Sequence, residues 1–328
     1  MTTPRIRAYG TTRTALLTLA AALALCAGRT GAQERIAPDS FTYKVVDGVA
    51  LRADVYRARD DVVRPVVIWL HGGALIMGSR HAPDARILGP LLDDGWVIVS
   101  VDYRLAPGTS LPDILQDVVD AHRWIYERGS ELFHADSSRI AVMGSSAGGY
   151  LTLAMGYLAR PRPTARVSLY GYGDLTGAWY SQPTYLQARH VSEAEAFEGV
   201  DPGIVTDGRG RERSDLYLYT RQNGLWPELV TGHDPVSDSS YFFPYEPVRN
   251  VTGDYPPTLM LHGTADTDVP HAESVLMARE LERHGVTHRL ITLEGSEHNL
   301  RDGDLEQVAR AYAEVVPFLD RMVKDRGR

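Results

Sequence analysis

From Phe41 onward the chain alternates short runs of β-branched and apolar residues with longer stretches in which apolar positions recur three and four apart. A period of two puts successive side chains on opposite faces of a strand, and a period near 3.6 collects them on one face of a helix. Strands are predicted over 41–46 (FTYKVV), 51–56 (LRADVY), 66–70 (VVIWL), 96–101 (WVIVSV), 139–143 (RIAVM), 166–170 (RVSLY), 258–262 (TLMLH) and 288–293 (HRLITL). The first two alternate and meet across Asp47-Gly48, a dipeptide that accepts left-handed turn positions, which predicts an antiparallel hairpin. Helical spacing is carried by 113–129, 147–160, 272–285 and 305–323. Strands and helices interleaved in this way build a mostly parallel sheet covered on both faces.

The rhythm stops between about 171 and 257. This stretch is too long for a plain loop, and half of the chain's aromatic residues fall within 170–255, among them Trp179, Tyr180, Tyr217, Trp226 and Phe242. It predicts an insertion after the sixth strand. The rings either cap a site or form the insert's own small core, since both arrangements bury aromatics.

The N-terminus follows a different pattern. Arg5, Arg7 and Arg13 precede the apolar run Thr14 to Gly28, and the small residues Thr30-Gly31-Ala32 follow it. The run falls short of the roughly 20 residues that span a bilayer, so residues 1–32 are expected to be an export signal and residues 33–328 the folded product, periplasmic or secreted. The single cysteine, Cys26, lies inside the run, so the mature chain has no disulfide to draw on and its stability rests on its core. With 328 residues and a net charge of -8, the chain is long enough for a large core and carries no basic run to meet a phosphate backbone. Nucleic acid is excluded as an expected partner, and so is an anionic membrane surface.

Three polar segments sit at predicted strand ends. RIAVM runs into Gly144-Ser145-Ser146-Ala147-Gly148 with a helix starting at once, so Ser146 occupies the centre of a GxSxG turn that projects its hydroxyl, with glycines leaving room on either side. A serine needs a base and an acid to orient that base. TLMLH is followed by His262-Gly263-Thr264-Ala265-Asp266-Thr267-Asp268, and HRLITL by Glu294-Gly295-Ser296-Glu297-His298. Asp266 and His298 fall in the expected order, with Asp268 a competing acid. After VVIWL, His71-Gly72-Gly73-Ala74 offers backbone amides of Gly72, Gly73 and Ala74 that, with the amide of Ala147, would form an oxyanion hole. His71 is read as a tie for this loop. His284 and His288 straddle a helix end and make a poor metal site, so no metal and no cofactor is expected.

HGGA at 71–74, VDYRLAP at 101–107, GSSAGG at 144–149, HGTADTDVP at 262–270 and GSEHN at 295–299 together resemble the α/β-hydrolase superfamily, within it the fold-3, hormone-sensitive-lipase-like branch of esterases and lipases. The resemblance covers roughly 64–324. It implies the α/β-hydrolase fold, an eight-stranded mostly parallel sheet flanked by helices with a cap inserted after strand 6, a triad of Ser146, Asp266 and His298, and an oxyanion hole among Gly72, Gly73, Ala74 and Ala147. Ala74 stands where the branch usually has a third glycine, and Ser145 where it has an acid. The cap, which such enzymes build partly from an N-terminal helical extension, is expected here from 171–257. The arrangement is also similar to exported esterases that remove acetyl or feruloyl groups from plant polysaccharides. The expected function is hydrolysis of small to medium carboxylic esters through an acyl-enzyme. A peptidase or amidase of the same fold, and a non-catalytic binding protein built on it, are the rival readings.

Overall fold

The computed structural model describes residues 37–81, 83–184 and 189–325. The expected export signal, with Cys26, lies outside the described residues.

Among the described residues the eight strands are β1 (Asp39–Val46), β2 (Val49–Tyr56), β3 (Arg64–Leu70), β4 (Val97–Val101), β5 (Ala135–Ser145), β6 (Ala165–Leu169), β7 (Thr258–Gly263) and β8 (His288–Leu293). They form one sheet in the order β1-β2-β4-β3-β5-β6-β7-β8. β1 and β2 are an antiparallel hairpin, as expected, with Asp47 and Gly48 both at positive φ (49° and 82°). β2 also runs antiparallel to β4. Every pairing from β4 through β8 is parallel.

Strict alternation in β3 divides the core. Val66, Ile68 and Leu70 face one side, where the helices α2 (Leu111–Phe133) and α3 (Ala147–Leu158) pack after the shorter α1 (Ala85–Asp93) has gone to the other. Val67 and Trp69 face that other side, joined by Ile87 and Leu91 of α1 and by Val308, Tyr312, Phe318 and Leu319 near the C-terminus. Burying both faces of a sheet at these near-zero exposures is what selects parallel strands with continuous apolar runs.

Two helical expectations change. The helix α1 is absent from the sequence reading because Gly89 and Pro90 interrupt its pattern; Asp84 caps it, its carboxylate accepting the Arg86 amide at 2.9 Å. The expected single helix 305–323 is divided into Leu305–Ala313, Val315–Leu319 and a wider turn over Asp320–Lys324. Pro317 supplies the cause, because it has no amide to bond the carbonyl four residues back.

Between β6 and β7 lie short helices and one of thirteen residues, Arg211–Asn223. Tyr172, Tyr180, Trp226 and Phe242 are almost fully buried and belong to the same apolar cluster as Leu70, Tyr103 and Tyr150. Tyr150 stacks on Tyr172 at 4.9 Å, and Trp226 meets Tyr180 edge-on at 4.6 Å. Most of these rings therefore extend the main core, and few are left to line a cavity.

Candidate active site

Parallel strands deliver their loops to one edge of the sheet, the carboxyl ends. Ser146 follows β5, Asp266 follows β7, His298 follows β8 and His71 follows β3. The structure brings all four loops together.

Ser146 sits at φ 55°, ψ −120°, a conformation costing on the order of 1–3 kcal/mol for a residue with a Cβ. It is held there by its amide, which donates to Leu169 O at 2.9 Å, and by the pairing of β5 with β3 and β6. The flanking glycines are a packing requirement: a Cβ on Gly144 would overlap Gly148 O, and one on Gly148 would overlap Leu70 O. Gly72 is also close, though less so, since a Cβ there would lie 2.9 Å from Ser145 O and 3.3 Å from Ser146 Cβ.

His298 Nε2 lies 3.0 Å from Ser146 Oγ, and His298 Nδ1 lies 2.7 Å from Asp266 Oδ2. The two acids stand at different ring nitrogens. Asp266 takes Nδ1, while Asp268 lies on the other side, its Oδ2 3.8 Å from Nε2. Asp266 Oδ1 accepts the amides of Asp268 (3.0 Å) and Val269 (2.8 Å), so the loop's own backbone aims the carboxylate. Burial would raise the Asp266 carboxyl, but hydrogen bonds from His262 and His298 outweigh it and hold the group well below the usual carboxylate range. Burial pulls the His298 imidazole down; the bond to Asp266 and the charges of Asp268 and Asp266 overcome that pull and raise it above 6.5.

Several positions that the sequence reading left without a role support this arrangement. His262, fully buried, puts Nε2 3.2 Å from Asp266 Oδ2 and 2.9 Å from Val269 O, with Nδ1 2.7 Å from Ser274 Oγ. Glu297 ties the acid loop to the base loop, since its Oε2 accepts the amides of Thr267 and His298, each at 3.1 Å. The Tyr170 ring meets the His298 ring edge-on at 5.0 Å. A histidine or glutamate inside a motif gives no sign in the sequence that it points inward. Tyr217, by sequence one of the insert's rings, donates from Oη to Asp268 Oδ1, and the 51 residues between them hide that place in the sequence.

The HGGA loop is fixed by its carbonyls. Burial pushes His71 down to about 4, so its ring is neutral near pH 7, and Nδ1 donates to Gly72 O at 2.8 Å. The ring stacks on Tyr103 at 4.1 Å, and Tyr103 Oη donates to His71 O at 2.7 Å. Gly73 O accepts the amides of Ile76 (2.9 Å) and Met77 (2.8 Å). In a trans peptide the N–H points opposite to the C=O, so these bonds turn the Gly73 and Ala74 amides away from the loop's own interior. Trp226 Nε1 adds a bond to Ala74 O at 2.9 Å. Ala147 is the first residue of α3, where an amide has no partner within the helix. These placements keep His71 as a tie for the loop.

A cavity of about 370 Å³ opens on this centre, lined by Gly72, Gly73, Ala74, Ser146, Tyr217, Asp268 and His298. A larger apolar groove, about 930 Å³, lies beyond Asn299 and Leu300 against Leu305, Tyr312 and Pro317 and contains none of the four loop side chains. Neither His284 nor His288 faces the centre: His284 ends its helix beside Arg283, and His288 bonds Val286 O at 2.9 Å. Among the described residues no three or more His, Cys, Asp or Glu side chains are grouped to hold a metal ion, and no helix is long and apolar enough to cross a membrane.

A family model described as alpha/beta hydrolase fold matches residues 67–301. An ethyl acetate hydrolase of Pseudomonas putida is 28% identical over 308 residues, 91% of this chain and 86% of that protein. The non-reducing polyketide synthase Preu3 of Preussia isomera is 29% identical over 335 residues, and the chain spans only 13% of its length. Among solved structures, the esterase of Pyrobaculum calidifontis superimposes with a TM-score of 0.64 at 26% identity, covering 87% of this chain and 84% of its own. An α/β-hydrolase superfamily protein of Enterococcus faecalis reaches 0.69 at 22% identity, over 87% and 99%.

Proposed function

Because the chain belongs to the α/β-hydrolase family, in its fold-3, hormone-sensitive-lipase-like branch, we propose that it is an exported serine hydrolase acting on small to medium carboxylic esters. The observation that carries this is the imidazole of His298 bridging Ser146 Oγ and Asp266 Oδ2 at the mouth of a 370 Å³ cavity.

Ser146 Oγ attacks the ester carbonyl as His298 Nε2 takes its proton, and Asp266 keeps the remaining N–H on Nδ1 and stabilises the imidazolium. The carbonyl oxygen turns anionic beside the amides of Gly73, Ala74 and Ala147. Donors fixed in this way are worth about 3–4 kcal/mol each, because they are in place before charge develops. His298 then returns the proton to the departing alcohol, leaving an acyl-serine. A water activated by the same imidazole releases the acid, and no cofactor is needed. The cavity volume lies at the low end of the range for small-molecule sites, which favours compact acyl groups.

Similarity to the ethyl acetate hydrolase of Pseudomonas putida and the esterase of Pyrobaculum calidifontis supports ester chemistry. Export rests on residues 1–32, and mass measurement of the product from an exporting host tests it: a chain retaining Met1 through Ala32 overturns export. For activity, the purified chain and Ser146→Ala are assayed on p-nitrophenyl esters of increasing acyl length beside labelling with a fluorophosphonate. Turnover of short esters with Ser146-dependent labelling is expected. Labelling without ester turnover, and cleavage of acyl anilides instead, would move the enzyme to the amidases; neither labelling nor turnover would leave a binding protein.

A further inference from the structure

The triad accounts for Asp266 but leaves a second carboxylate in the same cavity. Asp268 lines the space above Ser146, half-buried, with Oδ2 3.8 Å from the catalytic face of His298. Its other oxygen is engaged. Tyr217 Oη donates to Oδ1, and Arg221, four residues further along the helix Arg211–Asn223, places Nε 3.5 Å from Oδ1 and donates from Nη2 to Asp268 O at 2.9 Å. Arg221 is almost fully buried and also donates to Trp179 O at 3.2 Å, so the clamp itself is fixed. A carboxylate held by one oxygen presents the other as an acceptor in a defined direction.

That direction corresponds to one part of the substrate. His298 Nε2 delivers its proton to the departing oxygen, so this oxygen passes within hydrogen-bond reach of Nε2, about 3 Å. The oxyanion lies on the opposite side, toward Gly73 and Ala147. Asp268 Oδ2, 3.8 Å from Nε2, is therefore within reach of the alcohol portion as it departs. A hydroxyl on the carbon next to the ester-bearing carbon stands about 3 Å from the ester oxygen, which brings its single O–H within reach of Asp268 Oδ2 as acceptor.

We propose that Asp268 is a specificity-determining residue that accepts a hydrogen bond from a hydroxyl vicinal to the scissile ester, so that the preferred substrates are partial esters of polyols, sugars included. The inference rests on the ester-hydrolase reading and names the alcohol it acts on. The same charge disfavours alcohols that bear a carboxylate or phosphate near the ester.

The test compares 2-hydroxyethyl acetate with propyl acetate, which differ by a hydroxyl in place of a methyl, by acetate release from the wild-type chain, Asp268→Ala and Asp268→Asn. In the wild type kcat/KM should favour the hydroxyethyl ester by roughly tenfold or more, the worth of one hydrogen bond to a charged acceptor. In Asp268→Ala the ratio should fall toward one, chiefly through KM for the hydroxyethyl ester, while a fluorophosphonate still labels Ser146. Asp268→Asn keeps the shape and an acceptor without the charge, and its ratio should fall in between; it serves alone if the alanine variant does not fold. A ratio equal in wild type and variants overturns the role of Asp268 and leaves ester hydrolysis standing. Failure of the wild type to hydrolyse either acetate or any p-nitrophenyl ester overturns both.

Discussion

Gly144 and Gly148 face each other across the turn that carries Ser146, so near that neither position has space for a methyl group. The obstacles are backbone carbonyls, of Gly148 for the first and of Leu70 and His71 for the second, and these cannot swing aside as a side chain would. Gly148→Ala is expected to lower the melting temperature by several degrees, in line with the about 1–3 kcal/mol of an overpacked core. Its activity should fall further than that loss of stability explains, since Leu70 and His71 lead into the amides of the HGGA loop. A variant with wild-type melting and wild-type rate would remove the packing argument.

Exchange of the acid tests the choice between two aspartates. Asp266→Asn cannot hold Nδ1–H in the same way, and comparable exchanges in serine hydrolases lower kcat by about 10⁴-fold. Asp268→Asn should retain far more activity on p-nitrophenyl acetate. The reverse order in a steady-state assay would mean that Asp268 is the orienting group.

The pH profile should be displaced in a known direction. His298 acts as base only when neutral, so kcat/KM rises with pH through its titration. An unperturbed imidazole would put the inflection near 6.5, whereas the bond to Asp266 and the charge of Asp268 raise the group, so the inflection is expected above that value. Removing the Asp268 charge should bring it down. An inflection below 6.5 in the wild type would contradict the electrostatics of the site.

His71→Ala should leave Ser146 accessible to a fluorophosphonate yet slow turnover. The stack on Tyr103 and the bond to Gly72 O are lost, and the 72–73 peptide is no longer held. About a 10²-fold loss in kcat is expected, the size associated with losing one oxyanion donor. A loss confined to KM would show that the loop only binds substrate.

Away from the site, Glu273 links pH to stability. It is nearly buried, and its carboxylate accepts the amides of Asp174 (3.2 Å) and Gly173 (3.4 Å). Burial and the neighbouring Asp174 push it up to about 8, so the folded chain keeps a proton that the unfolded chain releases near 4.5. Stability is thus lost as pH rises from 4.5 to about 8, at up to about 1.4 kcal/mol per unit of separation. Glu273→Gln, which stays neutral, should melt above the wild type at pH 8, with the gap closing toward pH 4.5. Parallel melting curves across that range would show that Glu273 is ionised in the fold.

What was legible in the sequence follows how far each signal reaches along the chain. All eight strands stand out because runs such as VVIWL and WVIVSV are compact and rich in β-branched residues, and the GxSxG turn announces itself through residues only four apart. The helix Ala85–Asp93 does not, since Gly89 and Pro90 break its local pattern while Ile87 and Leu91 gain their burial from the distant C-terminal segment. Asp266 and Asp268 are chemically alike and two residues apart, and only the fold shows that they address opposite nitrogens of one ring. Tyr217 meets Asp268 from 51 residues away. No local pattern encodes that meeting.

Ser146 meets His298, 152 residues further on, and His298 meets Asp266, 32 residues back. In a chain emerging from the ribosome Ser146 therefore precedes His298 by 152 residues, and even a finished chain leaves the Ser146 hydroxyl without this partner until β8 has docked beside β7. If the proposed triad is the working one, the order of the chain acts as a safety catch: the serine becomes competent only when the last strand is home.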